Sequence, residues 1–304
     1  MKTFRSNGKL LITGEYTVLD NALALAIPTK FGQTLEVITT NSKTVNWTAL
    51  KHDGELWFKA ILKIEDIKNG SKSDLKTKEE IRLLEILQVA NTLNPEVLLS
   101  ETGLDVTTRL EFPQNWGLGS SSTLINNIAQ WFEVDAYQLL SSTFKGSGYD
   151  IAAANSNFPI TYQLTESGRS ILTSNFNPTF QDELFFVHLN QKQNSRESIA
   201  HYKAQSKESL VADIEKISGL TRSFITCENL EEFKILMNVH ETITSKLINT
   251  PKIKTQLFPD FNGAIKSLGG WGGDFILATG NTEAQGYFRN KGFSTILTYS
   301  EMAL

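Results

Sequence analysis

A glycine- and serine-rich junction, NWGLGSSS at residues 115–122, constrains the fold of this chain more than any other stretch. Before it, GLDVTTRLEF (103–112) alternates apolar and polar residues, which predicts a strand. After it, apolar residues recur at helical spacing from Leu124 to Trp131. Gly117 and Gly119 permit positive φ and a close approach of a ligand, and the free N–H groups of a helix start favour a phosphate. On spacing alone a plain helix cap is an equal alternative, and the junction matches neither the Walker motif nor G-x-G-x-x-G.

The composition is typical of a folded globular protein. Of 304 residues, 40% are hydrophobic and 20% charged, which argues against a disordered or collagen-like chain. The net charge of −4 argues against nucleic acid or an anionic membrane as the main partner. No apolar stretch approaches the roughly 20 residues of a membrane-spanning helix. We expect the single Cys227 to be a buried structural thiol, the four histidines to be structural, and the compartment to be the cytoplasm.

The order of predicted elements indicates an α+β fold, with helices packed on one face of an antiparallel sheet. KLLITGEYTVL (9–19) is expected to form a strand, a turn at Gly14 and a second strand, and ALALAIPTKFGQTLEVITT (22–40) is expected to continue as a buried and then an alternating strand. The other predicted elements are a hairpin around Asp53 and Gly54, helices at 77–93, within 207–248 and at 283–290, and strands at ELFFVHL, DFILATG and FSTILTY. The segment 167–182, rich in Ser, Asn and Pro, is the predicted domain boundary.

Three blocks in order resemble the GHMP kinases, the superfamily that includes galactokinase, homoserine kinase, mevalonate kinase and phosphomevalonate kinase. PQNWGLGSSS (113–122) resembles their phosphate loop. GKLLITGEYTVLDNALALAIP (8–28) and KSLGGWGGDFILATG (266–280) resemble their N-terminal motif and their C-terminal glycine loop. Because the three blocks span almost the whole chain, the resemblance is far more specific than any one of them.

The resemblance implies a two-domain fold with ATP and Mg²⁺ as cofactors. Residues 1–175 would form an ATP-binding domain like ribosomal protein S5 domain 2, and residues 176–304 a ferredoxin-like α/β sandwich. Ser121 matches the serine that ligates magnesium. The residues implied to bind the ATP phosphates are Gly117, Leu118, Gly119, Ser120, Ser121 and Ser122.

A carboxylate and an ammonium group are the implied catalytic pair. Asp150 follows Gly-Ser-Gly, so from the residues themselves it can either cap a short helix or present its carboxylate at a cleft. It matches the aspartate of the family's G-x-D-x-A motif, which implies a catalytic base. Lys9 matches the lysine near that base and the substrate hydroxyl, where a cation stabilises developing charge.

The implied substrate is a small anionic metabolite of the mevalonate (isoprenoid) pathway. GEYTVL (14–19) and the GGD ending in Asp274 resemble the corresponding segments of phosphomevalonate kinases more than those of mevalonate kinases. LNQKQNSRESI (189–199) resembles a segment of mevalonate-pathway kinases, although its basic residues can equally be exposed loop charges. The implied substrate-binding residues are Glu15, Tyr16, Lys192, Ser195, Arg196, Gly270, Trp271 and Gly272. The implied activity is ATP-dependent phosphoryl transfer to phosphomevalonate. The alternatives are a mevalonate kinase, a diphosphomevalonate decarboxylase and a non-catalytic relative that binds ATP or a metabolite.

Two departures from the family pattern stand out. Leu139 occupies the spacing at which mevalonate kinases carry a magnesium-ligating glutamate, and Asp135 is a poor substitute on spacing. Leu268 and Trp271 stand in the glycine loop where small residues are usual, so Trp271 is expected to narrow the site or contact substrate. The expected partner is a small anionic substrate, with no nucleic acid and no membrane, and the expected state is a monomer or homodimer.

Overall fold

The computed structural model describes residues 1–70, 77–100, 102–144, 146–193, 195–205 and 210–304, without the side chains of Ser195 and Arg196. These residues divide into two compact units that are interleaved along the chain. The first unit comprises residues 1–8, 31–114 and 118–155, and the second comprises 9–30, 115–117 and 156–304.

Strands and helices mix throughout the described chain, which confirms the predicted α+β class. The strands are β1 (Lys2–Thr13), β2 (Ala24–Thr40), β3 (Thr44–Leu50), β4 (Leu56–Lys63), β5 (Gly103–Leu110), β6 (Ile160–Thr165), β7 (Gly168–Thr173), β8 (Leu184–His188), β9 (Ile265–Ser267), β10 (Phe275–Thr279) and β11 (Ile296–Thr298). The helices are α1 (Ile64–Asn69), α2 (Lys78–Leu93), α3 (Ser120–Phe132), α4 (Ala136–Thr143), α5 (Tyr149–Ala154), α6 (Ser195–Ala204), α7 (Leu210–Thr226), α8 (Leu230–Leu247), α9 (Ile253–Leu257), α10 (Thr282–Asn290) and α11 (Tyr299–Met302).

The first unit contains strands in the order β4-β3-β5-β2, with α1 to α5 packed against them. β3 runs parallel to β5, and the β3–β4 and β2–β5 pairs are antiparallel. The hairpin predicted at Asp53 and Gly54 is confirmed, because Lys51 N donates to Glu55 O across that turn. Trp47 of β3 and Ile128 of α3 lie in one apolar core, buried with Leu87 of α2.

The second unit contains a four-stranded antiparallel sheet in the order β11-β8-β10-β9. β8 and β10 are buried along their whole length, which explains why ELFFVHL and DFILATG are almost continuously apolar. Phe258 and Phe288 close one face of this sheet. The same unit holds the start of β2, which pairs with β6, and the β6–β7 hairpin.

The helix predicted at 77–93 is confirmed, whereas the strand predicted after Gly14 is wrong. Helix α2 begins after Thr77, whose side chain forms a capping box with Glu80. The second strand predicted after Gly14 is wrong: a 3-10 helix, Thr17–Asp20, follows a turn in which Tyr16 has a φ of 62°. The boundary candidate 167–182 contains β7, which is paired with β6. The division into domains at residue 175 stays a prediction.

Within the described ranges, no helix is both long enough and apolar enough to cross a membrane.

Candidate active site

The helix start at the glycine-serine junction is shaped to receive an anion. Gly119 is the residue before α3 and has a left-handed φ of 91°. As a glycine, this N-cap residue has no side chain to cap the helix, and Ser122 Oγ donates back to the Gly119 carbonyl at 2.8 Å. The first N–H groups of a helix lack intrahelical acceptors. Those of Ser120 and Ser121 can therefore bind a phosphate, and Ser121 is exposed.

The other glycine of the junction is held by a lysine and a carboxylate. Gly117 has a φ of 66°, and its carbonyl accepts a hydrogen bond of 3.0 Å from Lys9 Nζ. A Cβ at position 117 would lie 2.3 Å from Asp274 Cγ. Position 117 therefore requires glycine for two reasons: its left-handed backbone conformation and the close approach of Asp274.

Asp274 belongs to the candidate site. The sequence indicated it only as the end of the GGD that resembles phosphomevalonate kinases, without a role. It is 7% exposed, and its Oδ1 accepts the Gln193 N–H at 3.1 Å. Burial raises the pKa of the Asp274 carboxyl, while the Gln193 N–H and the nearby charges of Lys9 and Lys192 lower it. The Asp274 carboxyl group is therefore close to Lys9, the residue whose positive charge is predicted to act in catalysis.

The glycine loop packs against the chain around Gln193. A Cβ at Gly270 would lie 2.6 Å from Gln193 Cβ, and one at Gly273 would lie 2.7 Å from Gln193 Cγ. Gly272 has a left-handed φ of 93°. These glycines are therefore required by close packing of the protein on itself, independently of any ligand.

Trp271 and Tyr16 anchor this loop inside the second unit. Trp271 N donates to the Tyr16 hydroxyl at 2.9 Å, and its indole Nε1 donates to Pro251 O at 3.0 Å. Tyr16 stacks on Tyr202 of α6, with ring centroids 5.5 Å apart. Trp271 is 6% exposed, so the bulky side chain expected to narrow the site is packed among Tyr16, Tyr202 and Ile248.

Glu15 lies in a buried charged cluster. It is 1% exposed, and its carboxylate forms an ion pair with Lys266 of β9, which is fully buried. His240 Nε2 lies 3.4 Å from Glu15 and accepts the Gly14 N–H, and burial lowers the pKa of His240, so this histidine is neutral. In the described structure Glu15 therefore makes a structural contact with Lys266.

Glu241 completes the cluster from α8. It accepts hydrogen bonds from Ser267 N at 3.0 Å and from Ser267 Oγ at 3.3 Å. Burial raises the pKa of Glu241 to about 8, and Lys266 partly opposes that shift. The cluster therefore fixes β9, which leads directly into the glycines at 269–273.

Asp150 lies in the first turn of α5, after Gly148 with a φ of 91°. The last glycine of Gly-Ser-Gly therefore adopts a left-handed turn that leads into this helix. Asp150 Oδ1 accepts the Ile151 N–H at 3.1 Å, and the side chain is partly buried. Ile151 lies in the core of the first unit together with Ile125 of α3, so α5 and α3 pack together.

Of the remaining predicted substrate residues, Lys192 is exposed. Ser195 begins α6, and the side chains of Ser195 and Arg196 lie outside the described part of the structure, as does Asn194.

Known structures resemble this chain over its whole length, whereas no family model and no curated protein sequence matches it. The mevalonate kinase of Methanococcus jannaschii superposes with a TM-score of 0.71 at 17% identity, covering 100% of this chain and 98% of that one. The phosphomevalonate kinase of Streptococcus pneumoniae, in complex with phosphomevalonate and AMPPNP, gives 0.70 at 15% identity, covering 98% and 100%. The galactokinase of Lactococcus lactis, complexed with galactose, gives 0.60 at 13% identity, covering 95% and 88%.

The chain has the GHMP-kinase fold. This confirms the resemblance that the three sequence blocks indicated. At such low identities the GHMP-kinase fold is shared without fixing the activity, which has to be argued from the residues of the site.

At the two positions considered for the magnesium carboxylate, the described structure has a buried leucine and a helix-capping aspartate. Leu139 is fully buried in the core of the first unit. Asp135 caps α4, accepting the N–H groups of Tyr137 at 2.6 Å and Gln138 at 3.2 Å. In the described part of the chain no three His, Cys, Asp or Glu residues form a metal-binding group. Ser121, the predicted magnesium ligand, is exposed at the start of α3.

Proposed function

We propose that this chain is an ATP-dependent kinase that phosphorylates a small anionic metabolite of the mevalonate pathway, with phosphomevalonate as the first candidate. The observation that carries the proposal is the start of α3, where Gly119, with a left-handed φ of 91°, turns the chain into a helix whose N-cap residue has no side chain. The similarity to a phosphomevalonate kinase bound to phosphomevalonate and AMPPNP supports it.

In this proposal the phosphate loop binds ATP through its backbone. The N–H groups of Ser120 to Ser122 and the positive end of the α3 dipole face the phosphates. Lys9 donates a hydrogen bond to the Gly117 carbonyl. Magnesium, when bound, would neutralise phosphate charge, with Ser121 as its protein ligand.

Asp150 is the proposed base. During transfer, a bond forms between the acceptor oxygen and the γ-phosphorus, and the bond from that phosphorus to the ADP oxygen breaks. A hydroxyl acceptor must also lose its proton, which Asp150 would take. A phosphate acceptor is largely ionised at pH 7, because the second pKa of a phosphate monoester is about 6. The loss of activity when Asp150 is replaced therefore indicates whether the acceptor is a hydroxyl or a phosphate group.

A coupled ADP-release assay with mevalonate, phosphomevalonate, homoserine and galactose tests the proposal. We expect the highest kcat/KM for phosphomevalonate. The absence of turnover on both mevalonate compounds would refute the pathway assignment, and release of carbon dioxide from diphosphomevalonate would identify a decarboxylase instead.

The variant Asp150→Asn sharpens the assay. With a hydroxyl acceptor it is expected to lower kcat by about 10²–10⁴, the usual contribution of a general base. With a phosphate acceptor the loss is expected to be much smaller. Full activity of Asp150→Asn on a hydroxyl substrate would refute the assignment of Asp150 as the base.

A non-catalytic relative that binds ATP is a second candidate, favoured by the burial of Leu139 at the expected carboxylate position. Binding of AMPPNP without turnover of any compound in the panel would support it.

A further inference from the structure

A row of buried polar side chains joins α3 to the sheet of the first unit. We call it the polar seam; it consists of Ser6, Gln33, Thr123, Asn126 and Asn127. Each of the five is at most 4% exposed. Burying polar groups is costly unless they are hydrogen-bonded to one another, so the seam is a specific feature of this helix.

Gln33 of β2 holds two successive turns of α3. Thr123 Oγ1 donates to Gln33 Oε1 at 2.7 Å, and Asn127 Nδ2 donates to the Gln33 carbonyl at 2.9 Å. Residues four apart lie on one face of a helix, so both bonds fix the same face.

Ser6 of β1 holds the same face from a second strand. Its hydroxyl donates to Asn127 Oδ1 at 2.7 Å and accepts from Asn126 Nδ2 at 2.9 Å. The opposite side of α3 is apolar, with Ile125 and Ile128 in the core. Apolar contacts tolerate small shifts along the helix axis, whereas these directional bonds would leave buried polar groups without partners if α3 moved.

Thr123 connects the seam to the helix start. Its Oγ1 also lies 3.2 Å from the Gly119 carbonyl oxygen and 3.1 Å from that of Ser120. Its N–H donates to Gly119 O at 3.0 Å. One residue thus touches both Gln33 and the turn that precedes the first N–H groups.

We propose that Gln33 and Thr123 are positioning residues that fix the phosphate-binding end of α3 through the polar seam. This inference rests on the proposed function, because it takes the start of α3 to be the phosphate site. Neither residue touches the phosphates in this proposal. They act by holding the N–H groups of the first turn in one place relative to β1 and β2.

The test compares Thr123→Val with wild type in binding to AMPPNP with Mg²⁺ and to adenosine, by calorimetry. We expect binding of AMPPNP to weaken about tenfold, the factor that corresponds to one buried hydrogen bond, and binding of adenosine to be unchanged, because adenosine has no phosphate. Gln33→Leu should give the same pattern, and Thr123→Ser should bind like wild type. The double variant Thr123→Val/Gln33→Leu should lose little more than either single variant.

Thr143→Val is the matched control. Thr143 Oγ1 bonds back to the Leu139 carbonyl of its own helix at 2.6 Å, so this variant removes a comparable hydroxyl without touching α3. Equal loss of AMPPNP affinity in Thr143→Val and Thr123→Val would overturn the inference. So would AMPPNP affinity within twofold of wild type in Thr123→Val, or an equal loss for adenosine.

Amide hydrogen exchange keeps the inference testable if the proposed function fails. We expect the amides of 123–127, which begin with the first helical hydrogen bond of α3 from Thr123 N to Gly119 O, to exchange faster in Thr123→Val than in Thr143→Val, with no nucleotide present. If wild type binds no AMPPNP, the proposed function is refuted, and unchanged exchange at 123–127 would separately refute the positioning role.

Discussion

Replacing Gly117 with alanine is expected to lower the free energy of unfolding by about 2–5 kcal/mol, through two causes that can be separated. The first is backbone strain. A φ of 66° is left-handed, and this region costs a residue with a Cβ roughly 1–2 kcal/mol. The second is a clash, because the new Cβ would lie 2.3 Å from Asp274 Cγ and 2.4 Å from its Oδ2.

The carboxylate cannot move away freely, because the Gln193 N–H holds its other oxygen. Overpacking of this kind typically costs about 1–3 kcal/mol. Gly70→Ala measures the strain without the clash, since Gly70 has a φ of 73° and no atom of the described residues lies within 4 Å of a Cβ built there. The combination Gly117→Ala with Asp274→Ala keeps the strain and removes the clash.

Urea unfolding followed by tryptophan fluorescence gives the five free energies needed, for wild type, Gly117→Ala, Gly70→Ala, Asp274→Ala and the double variant Gly117→Ala/Asp274→Ala. We expect Gly117→Ala to be more destabilising than Gly70→Ala, and the double variant to be less destabilised than the sum of its single changes by about 1–3 kcal/mol. The reasoning is refuted if Gly117→Ala costs no more than Gly70→Ala, or if the two changes at 117 and 274 are additive.

Two further predictions concern buried and capping carboxyls. Because burial raises the pKa of Glu241 from 4.5 to about 8, the folded state holds a proton that the unfolded state releases, so stability falls as pH rises between these values. Glu241→Gln is expected to flatten this fall, and urea midpoints at pH 5 and pH 8 check it; an unchanged slope would contradict the shift. Asp135→Ala removes the cap of α4 and is expected to cost about 0.5–2 kcal/mol of unfolding free energy. It should leave the Mg²⁺ dependence of AMPPNP binding unchanged in calorimetry, whereas loss of that dependence would make Asp135 a metal ligand.

The sequence predicted those elements whose formation depends on interactions between residues a few positions apart. The alternation of β5, the helical spacing of apolar residues within 77–93 and the glycines before Ser120 each act within a few residues, and the structure has a strand, a helix and a helix start at these places. The three blocks with family resemblance predicted the fold, because their order along the chain is a property of the topology.

Contacts between distant segments could not be predicted in this way. Nothing near Glu15 in the sequence indicates that Lys266 pairs with it, and nothing near Trp271 indicates that Tyr16 accepts its N–H. A buried ion pair and a polar ligand site have the same sequence signature, a charged residue among apolar ones. The packing of Leu139 likewise depends on helices and strands from several parts of the first unit.

The interleaving of the two units has a consequence for synthesis on the ribosome. The apolar residues 24–27 near the N-terminus are fully buried, and 24–26 pair with β6, in a unit whose main part begins at residue 156. These residues therefore leave the ribosome long before their partners do. An early strand that must await a late one raises contact order and slows folding, and it exposes an aggregation-prone segment meanwhile. The nascent chain is thus most vulnerable between translation of residue 30 and translation of β6.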